Sequence, residues 1–387
     1  MAMLGNVKVS TGLYVNWDSF IKVDDKVLNW MQNHQRKRPE GFILQSAAEA
    51  VHTLDEAFRE GGREFLISEH LYSLLNEVFT ERERRLGGNG YHMGRALYDL
   101  GFNPLVSYPL RPKGLMEASP EFRVASGNEF KRPGEEVRMG DLEYDHIIFE
   151  FKEDKSRGIS TAGRHILSWD LMSTRGIFDY DFMRYASYLK FTDVLALSYA
   201  HLLLPKYKRK TDEIIEYLDH PKRPKVNLEL GEGSEESMMY AIRSFSDHDC
   251  LDSLSMNEME CKTYFEAEST ALEDLINVAG GKVKDYGLDR ICVHSQDFAF
   301  SISKYDARKE SEAMQMARRA ASALTMGGIR AFWGQTESLA ESDVKKVKKG
   351  ISEYNLLVIP TLVNPEPRIL TGLGDTFAAV QAIIALR

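Results

Sequence analysis

The chain has 387 residues, of which 43% are hydrophobic and 28% charged, enough for one large domain and a smaller second one. A formal net charge of −9 provides no basic surface for nucleic acid or an anionic membrane, so we expect neither partner. No apolar run is long enough to cross a bilayer, and the first ten residues lack the apolar segment of a secretory signal. The three cysteines, Cys250, Cys261 and Cys292, have no metal-ligand spacing and predict reduced thiols in a cytoplasmic protein.

The first predicted strand covers residues 7–15 and leads to Asn16-Trp17-Asp18. Open α/β sheets bind ligands at the carboxyl ends of their strands. Asn16 and Asp18 have the spacing of one strand face and could bind sugar hydroxyls there. An Asx turn at the strand end accounts for the same residues equally well.

Helical spacing follows over residues 42–58 and 71–79, with Glu64 in the short apolar stretch between them. Gly87, Gly88 and Asn89 then precede a helical run over 93–100. Adjacent glycines allow a backbone to approach a ligand closely, although a turn at a helix start uses them as well. Residues 107–140 are rich in proline and glycine and predict a surface connection with little regular structure.

Residues 145–151 and 164–170 have the composition of two antiparallel strands joined by a polar loop. Because this pair does not continue a β-α-β series, we assign it to a small lid domain of residues 19–79 and 141–185. Residues 1–18, 80–140 and 186–387 are assigned to a large nucleotide-binding domain. Beyond residue 191, strands are predicted over 192–198, 225–230, 290–295 and 356–360, and helices over 211–218, 234–245, 267–279 and 309–325. This alternation predicts a mainly parallel sheet covered by helices on both faces.

Near its end the chain has the motif Thr371-Gly372-Leu373-Gly374-Asp375-Thr376, followed by an apolar run over 377–386. Two glycines before a helix leave backbone N–H groups that can bind an anion. An aspartate beside bound phosphate is unfavourable unless it has a chemical task, such as taking the proton of an attacking hydroxyl. The motif therefore predicts phosphoryl transfer to an alcohol, with a helix cap after a tight turn as the alternative interpretation.

Two carboxylates are predicted at the same sheet edge. Glu229 ends one predicted strand, and Glu260 follows the next strand-like segment. Since the carboxyl ends of parallel strands meet at one edge, both would lie beside the glycine turn. Two acids near a phosphate favour a divalent cation between them, and Mg²⁺ accepts one or two carboxylates together with phosphate oxygens. The alternative is that both glutamates simply face solvent.

Seven short motifs occur in one order along nearly the whole chain. They are Asn16-x-Asp18, Gly87-Gly88-Asn89, the strand pair 146–151 and 164–170, Asn227-x-Glu229, Asn257-x-x-Glu260, His294-Ser295 and Gly372-x-Gly374-Asp375. Together they resemble the ADP-dependent glucokinase and phosphofructokinase family of the ribokinase-like superfamily. The resemblance implies a ribokinase-like, mainly parallel sheet with a smaller α/β lid, and transfer of the β-phosphoryl of ADP to a sugar hydroxyl with Mg²⁺.

The resemblance also implies roles for single residues. Asp375 would be the catalytic base, Gly372 and Gly374 would donate amides to the transferring phosphate, and Arg164 would bind phosphate as a fixed cation. Mg²⁺ would be held by Glu229 and Glu260. The nucleotide would contact Asn257, His294, Ser295, Leu362 and Gly374. The sugar would contact Asn16, Asp18, Glu64, Gly88, Asn89 and His146. An acid at the place of Glu64 accompanies use of glucose in this family, so glucose is the favoured acceptor.

The chain departs from the family pattern at Asn227, Ser295 and Gly163, which replace a histidine, a threonine and an asparagine, and none of these changes removes a required charge. Fructose 6-phosphate or another sugar phosphate remains an alternative acceptor. Its phosphate would be bound by Lys152, Lys155, Arg157 and Arg164. A non-catalytic sugar or nucleotide sensor, and a metal-dependent hydrolase using His146, His165 and His294, are alternatives of other classes. The choice of ADP over ATP rests on the resemblance alone, and we expect a monomer or a small homo-oligomer.

Overall fold

The computed structural model describes residues 7–41, 43–198, 204–231, 233–344 and 351–387. Its strands, in chain order, are β1 (Val9–Gly12), β2 (Asn16–Lys22), β3 (Ile43–Leu44), β4 (Glu64–Ile67), β5 (Glu83–Gly87), β6 (Leu105–Val106), β7 (Val124–Ser126), β8 (Glu129–Lys131), β9 (Asp145–Phe151), β10 (Gly163–Ser168), β11 (Val194–Ser198), β12 (Lys225–Glu229), β13 (Ser253–Asn257), β14 (Arg290–His294), β15 (Phe298–Ser303), β16 (Ala340–Glu341), β17 (Asn355–Pro360) and β18 (Leu362–Val363). Its α-helices are α1 (Asp25–Gln32), α2 (Ala47–Glu60), α3 (Glu69–Val78), α4 (Asn89–Asp99), α5 (Lys113–Ala118), α6 (Leu171–Arg175), α7 (Tyr180–Ala186), α8 (Tyr207–Leu218), α9 (Glu235–Asp247), α10 (Glu258–Phe265), α11 (Leu272–Asp285), α12 (Ala307–Met326), α13 (Ile329–Phe332) and α14 (Leu373–Leu386).

An eight-stranded sheet in the order β17-β15-β14-β13-β12-β11-β1-β6 forms the larger part of the molecule. Neighbouring strands from β14 to β6 in this order pair in parallel, whereas β15 is antiparallel to both β14 and the edge strand β17. The predicted mainly parallel sheet is therefore confirmed. Strand β15 was not predicted, and because it is antiparallel to both of its neighbours, β17 points in the same direction as β14.

Helix α14 lies within the core of this larger part and packs against α12 and α4. Every residue from Thr376 to Leu386 is buried, which explains why the helix is apolar on all sides. Its first turn is held at the carboxyl edge of the sheet by this burial. The motif that precedes the helix therefore has a rigid support.

A second, six-stranded sheet has the order β3-β4-β10-β9-β2-β5. Strands β9 and β10 pair antiparallel with Ser168 opposite His146, as predicted for residues 145–151 and 164–170. One face of the sheet packs against α1, α2 and α3 through its own cluster of apolar side chains, among them Ile21, Phe149, Leu167, Val51 and Leu54. Because side chains alternate across a strand, Asp18, His146 and Arg164 lie on the opposite face.

The first predicted strand proves to be two strands in different sheets. β1 ends at Gly12, and β2 begins at Asn16 in the six-stranded sheet. The prediction that Asn16 and Asp18 lie at the carboxyl end of the first strand is therefore wrong, although their shared strand face is correct. The crossover segment Leu13 to Val15 is buried, so its composition is that of a continuous strand.

The structure also differs from three predicted domain boundaries and from the prediction for one segment. Residues 16–18 and β5, predicted in the large domain, belong to the six-stranded sheet, and helices α6 and α7, predicted in the lid, pack into the core under the larger sheet. Residues 107–140 contain α5 and the β7–β8 hairpin. Within them Arg111 is fully buried and pairs with Glu136 and Asp179, so this segment is no surface connection.

In the described ranges, no helix has the length and apolar character that a bilayer crossing needs. The three cysteines Cys250, Cys261 and Cys292 are buried and free.

Candidate active site

A cleft of about 560 Å³ lies between the two sheets and receives side chains from both. The six-stranded sheet contributes Asp18, Glu64, His146 and Arg164. The larger part contributes Gly88 and Asn89 at the start of α4, Glu229, Asn257 and His294 at strand ends, Glu260 in the first turn of α10, and Gly372, Gly374 and Asp375 at the start of α14. Most of the predicted site residues therefore line this one cleft.

The glycine motif forms the amino-terminal turn of α14. Gly372 is the N-cap residue with a φ of 69°, in the left-handed region that glycine adopts without strain. Asp375 lies in the first turn, where the backbone N–H groups have no partner within the helix. Both the unpaired amides and the helix dipole favour an anion at this point, as predicted.

Asp375 has the electrostatic character of a base that works near neutral pH. Burial, together with the negative charge of Glu229, raises the pKa of Asp375 to about 7, while His294 and Arg164 act in the opposite direction. A carboxylate with this pKa accepts a proton from a hydroxyl more readily than an ordinary aspartate does. The surroundings of Asp375 therefore match the task that the sequence predicts for it.

Arg164 is a cation of the small sheet that lines the cleft and interacts electrostatically with Asp375. Burial lowers its pKa from the ordinary value, and the carboxylates of Asp18, Glu150 and Asp375 oppose that shift. A guanidinium stays charged under such a shift. No ion pair joins it to any residue of the described ranges, so its charge is available to a phosphate group.

Asp18 and His146 lie close together at the end of the cleft where the sequence predicts the sugar, which we call the acceptor end. Asn16 Nδ2 donates to Asp18 Oδ1 at 2.8 Å, and burial raises the pKa of Asp18 to about 6. His146 Nδ1 lies 4.0 Å from Asp18 Oδ1, and its Nε2 lies 4.0 Å from Asp170 Oδ2. The buried His146 Nε2 has no hydrogen-bond partner among the described residues, so a bound hydroxyl could supply one.

Gly87 and Gly88 leave space for the side chains of Asp18 and Asn16. A Cβ at Gly87 would lie 2.1 Å from Asp18 Oδ2, and one at Gly88 would lie 2.5 Å from Asn16 Oδ1. Gly88 is also the N-cap of α4, with a φ of 86°. Glycine at both positions therefore leaves space for the polar side chains of β2. At Gly88 it also allows the backbone conformation with which α4 begins.

Glu64 stands at the beginning of β4 and faces the same end of the cleft. Its Oε1 accepts a hydrogen bond of 2.6 Å from Ser168 Oγ, which fixes the carboxylate on the sheet face. Asn89, at the start of α4, accepts from the Gly90 N–H at 2.9 Å through its side-chain oxygen. Asn89 lines the cleft as predicted.

Glu229 and His294 form a buried pair beside the Gly372–Asp375 turn. His294 Nε2 lies 3.0 Å from Glu229 Oε1. Burial raises the pKa of Glu229 well above its usual range and lowers the pKa of His294. The second carboxylate oxygen, Glu229 Oε2, is buried without a hydrogen-bond partner in the described part of the chain.

Asn257 and Glu260 hold each other at the start of α10. The Glu260 N–H donates to Asn257 Oδ1, and the Asn257 N–H donates to Glu260 Oε2, each at 2.8 Å. This reciprocal arrangement is a capping box, a role that the sequence analysis did not consider. Both residues still line the cleft.

The donor set fits Mg²⁺ better than a metal held by protein alone. Within the described residues, no group of three or more histidine, cysteine or acidic side chains could hold a metal ion. Mg²⁺ keeps most of its waters and binds one or two carboxylates with substrate phosphates. The unpartnered Glu229 oxygen beside an anion-binding turn suits that mode.

Two predicted residues do not line the cleft. Ser295 caps a local turn, where it accepts hydrogen bonds from the N–H groups of Asp297 and Phe298. Leu362 belongs to the small β16–β18 ribbon. The predicted nucleotide contacts of Ser295 and Leu362 therefore find no support in the geometry of the cleft.

Three of the four cations proposed for an acceptor phosphate, and one of the three histidines of the hydrolase alternative, also lie outside the cleft. Of the alternative phosphate ligands Lys152, Lys155, Arg157 and Arg164, only Arg164 lines the cleft. His165 points into the core of the small sheet, where its Nε2 lies 3.0 Å from Thr53 Oγ1 and burial lowers its pKa to about 3. Without His165, the three histidines of the hydrolase alternative do not converge.

Sequence reasoning missed several polar residues that line the cleft, among them Tyr14, Arg63, His92 and Asp170. His92 lies one helical turn beyond Asn89, so helical spacing from the predicted glycine motif could have indicated it. Asp170 follows β10, at the same edge as His146. No sequence signal marked Tyr14, because it lies in the buried crossover between the two sheets.

Comparison with known proteins agrees with this geometry. The family model described as the ADP-specific phosphofructokinase/glucokinase conserved region matches residues 7–383. An ADP-specific phosphofructokinase from Thermococcus zilligii is 23% identical over 441 aligned positions, covering 96% of this chain and 92% of the relative.

Solved structures share the fold at low identity. A phosphofructokinase from Pyrococcus horikoshii, determined with AMP, superposes with a TM-score of 0.74 at 18% identity, covering 99% of this chain and 98% of that one. An ADP-dependent kinase in complex with fructose 6-phosphate and ADPβS has a TM-score of 0.81 at 17% identity, covering 100% of this chain and 95% of that one. The chain therefore belongs to the ADP-specific phosphofructokinase/glucokinase family, and it is an ADP-dependent sugar kinase with a ribokinase-like fold.

Proposed function

We propose that the protein transfers the β-phosphoryl group of ADP to an unphosphorylated hexose, with glucose favoured, and forms glucose 6-phosphate and AMP with Mg²⁺. The observation that carries this choice of acceptor is the carboxylate of Glu64, fixed by Ser168 on the cleft face of β4. The free, buried thiols are typical of a reducing compartment, so we place the reaction in the cytoplasm.

Acidic side chains dominate the acceptor end of the cleft. Glu64, Asp18 and Asp170 line it together with the neutral hydrogen-bonding groups of Asn16 and Asn89. Carboxylates accept hydrogen bonds from sugar hydroxyls but repel a phosphate group. This arrangement favours an uncharged sugar over a sugar phosphate.

The basic residues of the β9–β10 loop do not change this balance. Arg157 pairs with Asp25 at 2.9 Å and with Asp154 at 3.6 Å, and Lys155 pairs with Glu153 at 3.3 Å. None of these side chains lines the cleft. They therefore do not supply a phosphate site for the acceptor.

Asp375 accepts the proton of the sugar hydroxyl as that oxygen attacks the β-phosphorus of ADP. The first-turn amides around Gly372 and Gly374, with Arg164, stabilise the charge that develops on the phosphoryl oxygens. Glu229 and Glu260 would hold Mg²⁺ largely through water, and the ion would neutralise charge on the ADP phosphates. Approach of the two sheets around the bound substrates would exclude water from the phosphoryl group.

Fructose 6-phosphate is the second candidate acceptor. Two observations favour it: the relatives named above are a phosphofructokinase from Thermococcus zilligii and a kinase in complex with fructose 6-phosphate, and Arg63 lines the cleft beside Arg164. Arg63 lies 3.8 Å from Glu60 and is largely exposed, so it could turn toward a phosphate.

The test is AMP formation from ADP and Mg²⁺ with glucose or fructose 6-phosphate as acceptor. We expect turnover with glucose, and we expect Glu64→Ala to lower kcat/KM for glucose by about 10- to 100-fold, since charged hydrogen bonds to the sugar are lost. Glu69→Ala, an exposed change on α3, is the matched control.

A wild-type preference for fructose 6-phosphate, unaffected by Glu64→Ala, would overturn the choice of glucose in favour of the second candidate. Absence of AMP with every sugar and sugar phosphate, together with intact ADP binding, would instead support the sensor alternative.

A further inference from the structure

His92 is a cleft residue for which neither the sequence motifs nor the mechanism above has a role. It lies on α4 one turn after Gly88, and its backbone N–H donates to the Gly88 carbonyl at 3.0 Å. The same helix turn carries Asn89 at the acceptor end of the cleft. The backbone of His92 therefore lies at the acceptor end of the cleft.

The imidazole of His92 lies against the catalytic turn. A Cβ built on Gly372 would be only 2.4 Å from both Cγ and Nδ1 of His92. Gly372 is the N-cap of α14, whose first-turn amides are placed to bind the phosphoryl group. His92 thus connects α4, which begins at Asn89, with the start of α14, which carries Asp375.

The ring is also held in place from behind. His92, Asp18 and Thr371 line both the active cleft and a second cavity of about 410 Å³, so they form the wall between the two. Tyr91 packs edge-on against the ring with centroids 5.5 Å apart. A side chain in such a wall has little freedom to turn away from the cleft.

The hydrogen-bonding capacity of this ring is unused. Neither ring nitrogen bonds to a described residue. Burial and the charge of Arg164 lower the pKa of His92 to about 4, so the ring is neutral at physiological pH and has one N–H donor and one acceptor nitrogen. A neutral donor adds no positive charge that would weaken Asp375 as a base.

We propose that His92 is a further catalytic residue, whose imidazole N–H donates a hydrogen bond to the phosphoryl group as it passes from ADP to the sugar hydroxyl. This inference rests on the proposed function. In this arrangement the amides at the start of α14 contact the phosphoryl group from one side, and the guanidinium of Arg164 contacts it from the small sheet. His92 contacts it from α4. No proton and no covalent bond passes through His92, because Asp375 takes the hydroxyl proton.

The test compares His92→Phe, which keeps a ring in the wall but has no N–H, with His92→Gln, which keeps an N–H donor. We expect kcat to fall about 10- to 100-fold in His92→Phe, with KM for ADP and the Kd of ADP changed less than about twofold. His92→Gln should recover a large part of kcat. His70→Phe, on the exposed part of α3, is the control and should match the wild type.

Three outcomes are informative, and Asp375→Asn is measured in parallel. A His92→Phe enzyme with wild-type kcat, beside an inactive Asp375→Asn, overturns the role of His92 alone. A wild type that forms no AMP with any sugar overturns the proposed function itself. If His92→Phe does not fold, His92→Leu replaces it, and equal kcat values for His92→Leu and His92→Gln would contradict a hydrogen bond.

Discussion

Asp375, the proposed catalytic base, lies where burial makes its negative charge unfavourable. Asp375 is at a helix start that attracts anions, but it is buried beside Glu229, and these surroundings raise its pKa to about 7. His294 and Arg164 limit that rise. The balance leaves a carboxylate that is half protonated near neutral pH and is a stronger base than an ordinary aspartate when it is deprotonated.

A pH dependence follows from this pKa. Only the deprotonated form of Asp375 accepts the hydroxyl proton, so kcat/KM for ADP should fall as pH decreases through about 7, approaching tenfold per pH unit below about 6. The measurement is the initial rate of AMP formation at subsaturating ADP between pH 5 and 9. A rate that stays level from pH 5 to 8 would contradict the raised pKa or the role of Asp375.

Asp375→Asn is the control for this profile. It should lower turnover by orders of magnitude while ADP still binds. It should also raise Tm of the ligand-free protein at pH 8, because a carboxyl with a raised folded pKa favours the folded state only while protonated. The wild type loses that contribution as pH rises from about 4, the ordinary aspartate pKa, to about 7, so the Tm difference should vanish near pH 4.

At the residue scale, the sequence predicted charged and glycine positions better than it predicted nucleotide contacts. Asp375 and Glu229 line the cleft as predicted, because polar groups at the carboxyl edge of a parallel sheet converge. Ser295 does not line it, since a hydroxyl that caps a turn has the same local pattern as one that binds a ligand. His92 was missed because its function depends on contact with Gly372, 280 positions further along the chain.

At the scale of elements, the position of Arg164 depends on a close approach between the loop that precedes β4 and strand β10. A Cβ at Gly62 would lie 1.4 Å from the carbonyl oxygen of Arg164, so only glycine allows the loop to pass so near to that strand. The position of the Arg164 guanidinium therefore depends on a residue that carries no side chain.

Gly62→Ala should displace β10 at Arg164 and lower both stability and turnover. We expect the free energy of unfolding to fall by about 1–3 kcal/mol, as for overpacking. We also expect kcat to fall under conditions in which the variant is still fully folded. Chemical denaturation and AMP formation measure the two effects. Gly281→Ala on α11 is the control, because its Cβ would meet no atom within 4 Å and alanine favours a helix. Equal behaviour of the two variants would contradict the dependence of Arg164 on Gly62.

Element types were predicted well where the pattern was long and periodic, and poorly where the chain changes sheets. The alternation after residue 191 indicated the parallel sheet because each strand is a continuous apolar run followed by a helix. The crossover between β1 and β2 went unnoticed, since Leu13, Tyr14 and Val15 are as buried as strand residues. Composition alone does not tell a buried crossover from a buried strand.

At the scale of the whole molecule, the site lies between two independently packed parts. The small sheet has its own apolar cluster with α1, α2 and α3, separate from the clusters around the large sheet. Acceptor groups such as Asp18 and Glu64 belong to the small part, whereas Asp375 and Glu229 belong to the large one. A substrate pair that contacts both groups stabilises the arrangement in which the two parts approach.

We therefore expect ADP, Mg²⁺ and glucose together to decrease the radius of gyration in solution, measured by small-angle X-ray scattering. The inactive Asp375→Asn variant allows the measurement without turnover. ADP alone should give a smaller decrease, because in the proposed mechanism it contacts the small part mainly through Arg164. Adding Glu64→Ala should remove the contribution of glucose and leave that of ADP. A radius of gyration that is the same with and without both ligands would mean that the cleft is already closed in the free protein, and that water is excluded by the substrates themselves rather than by approach of the two parts.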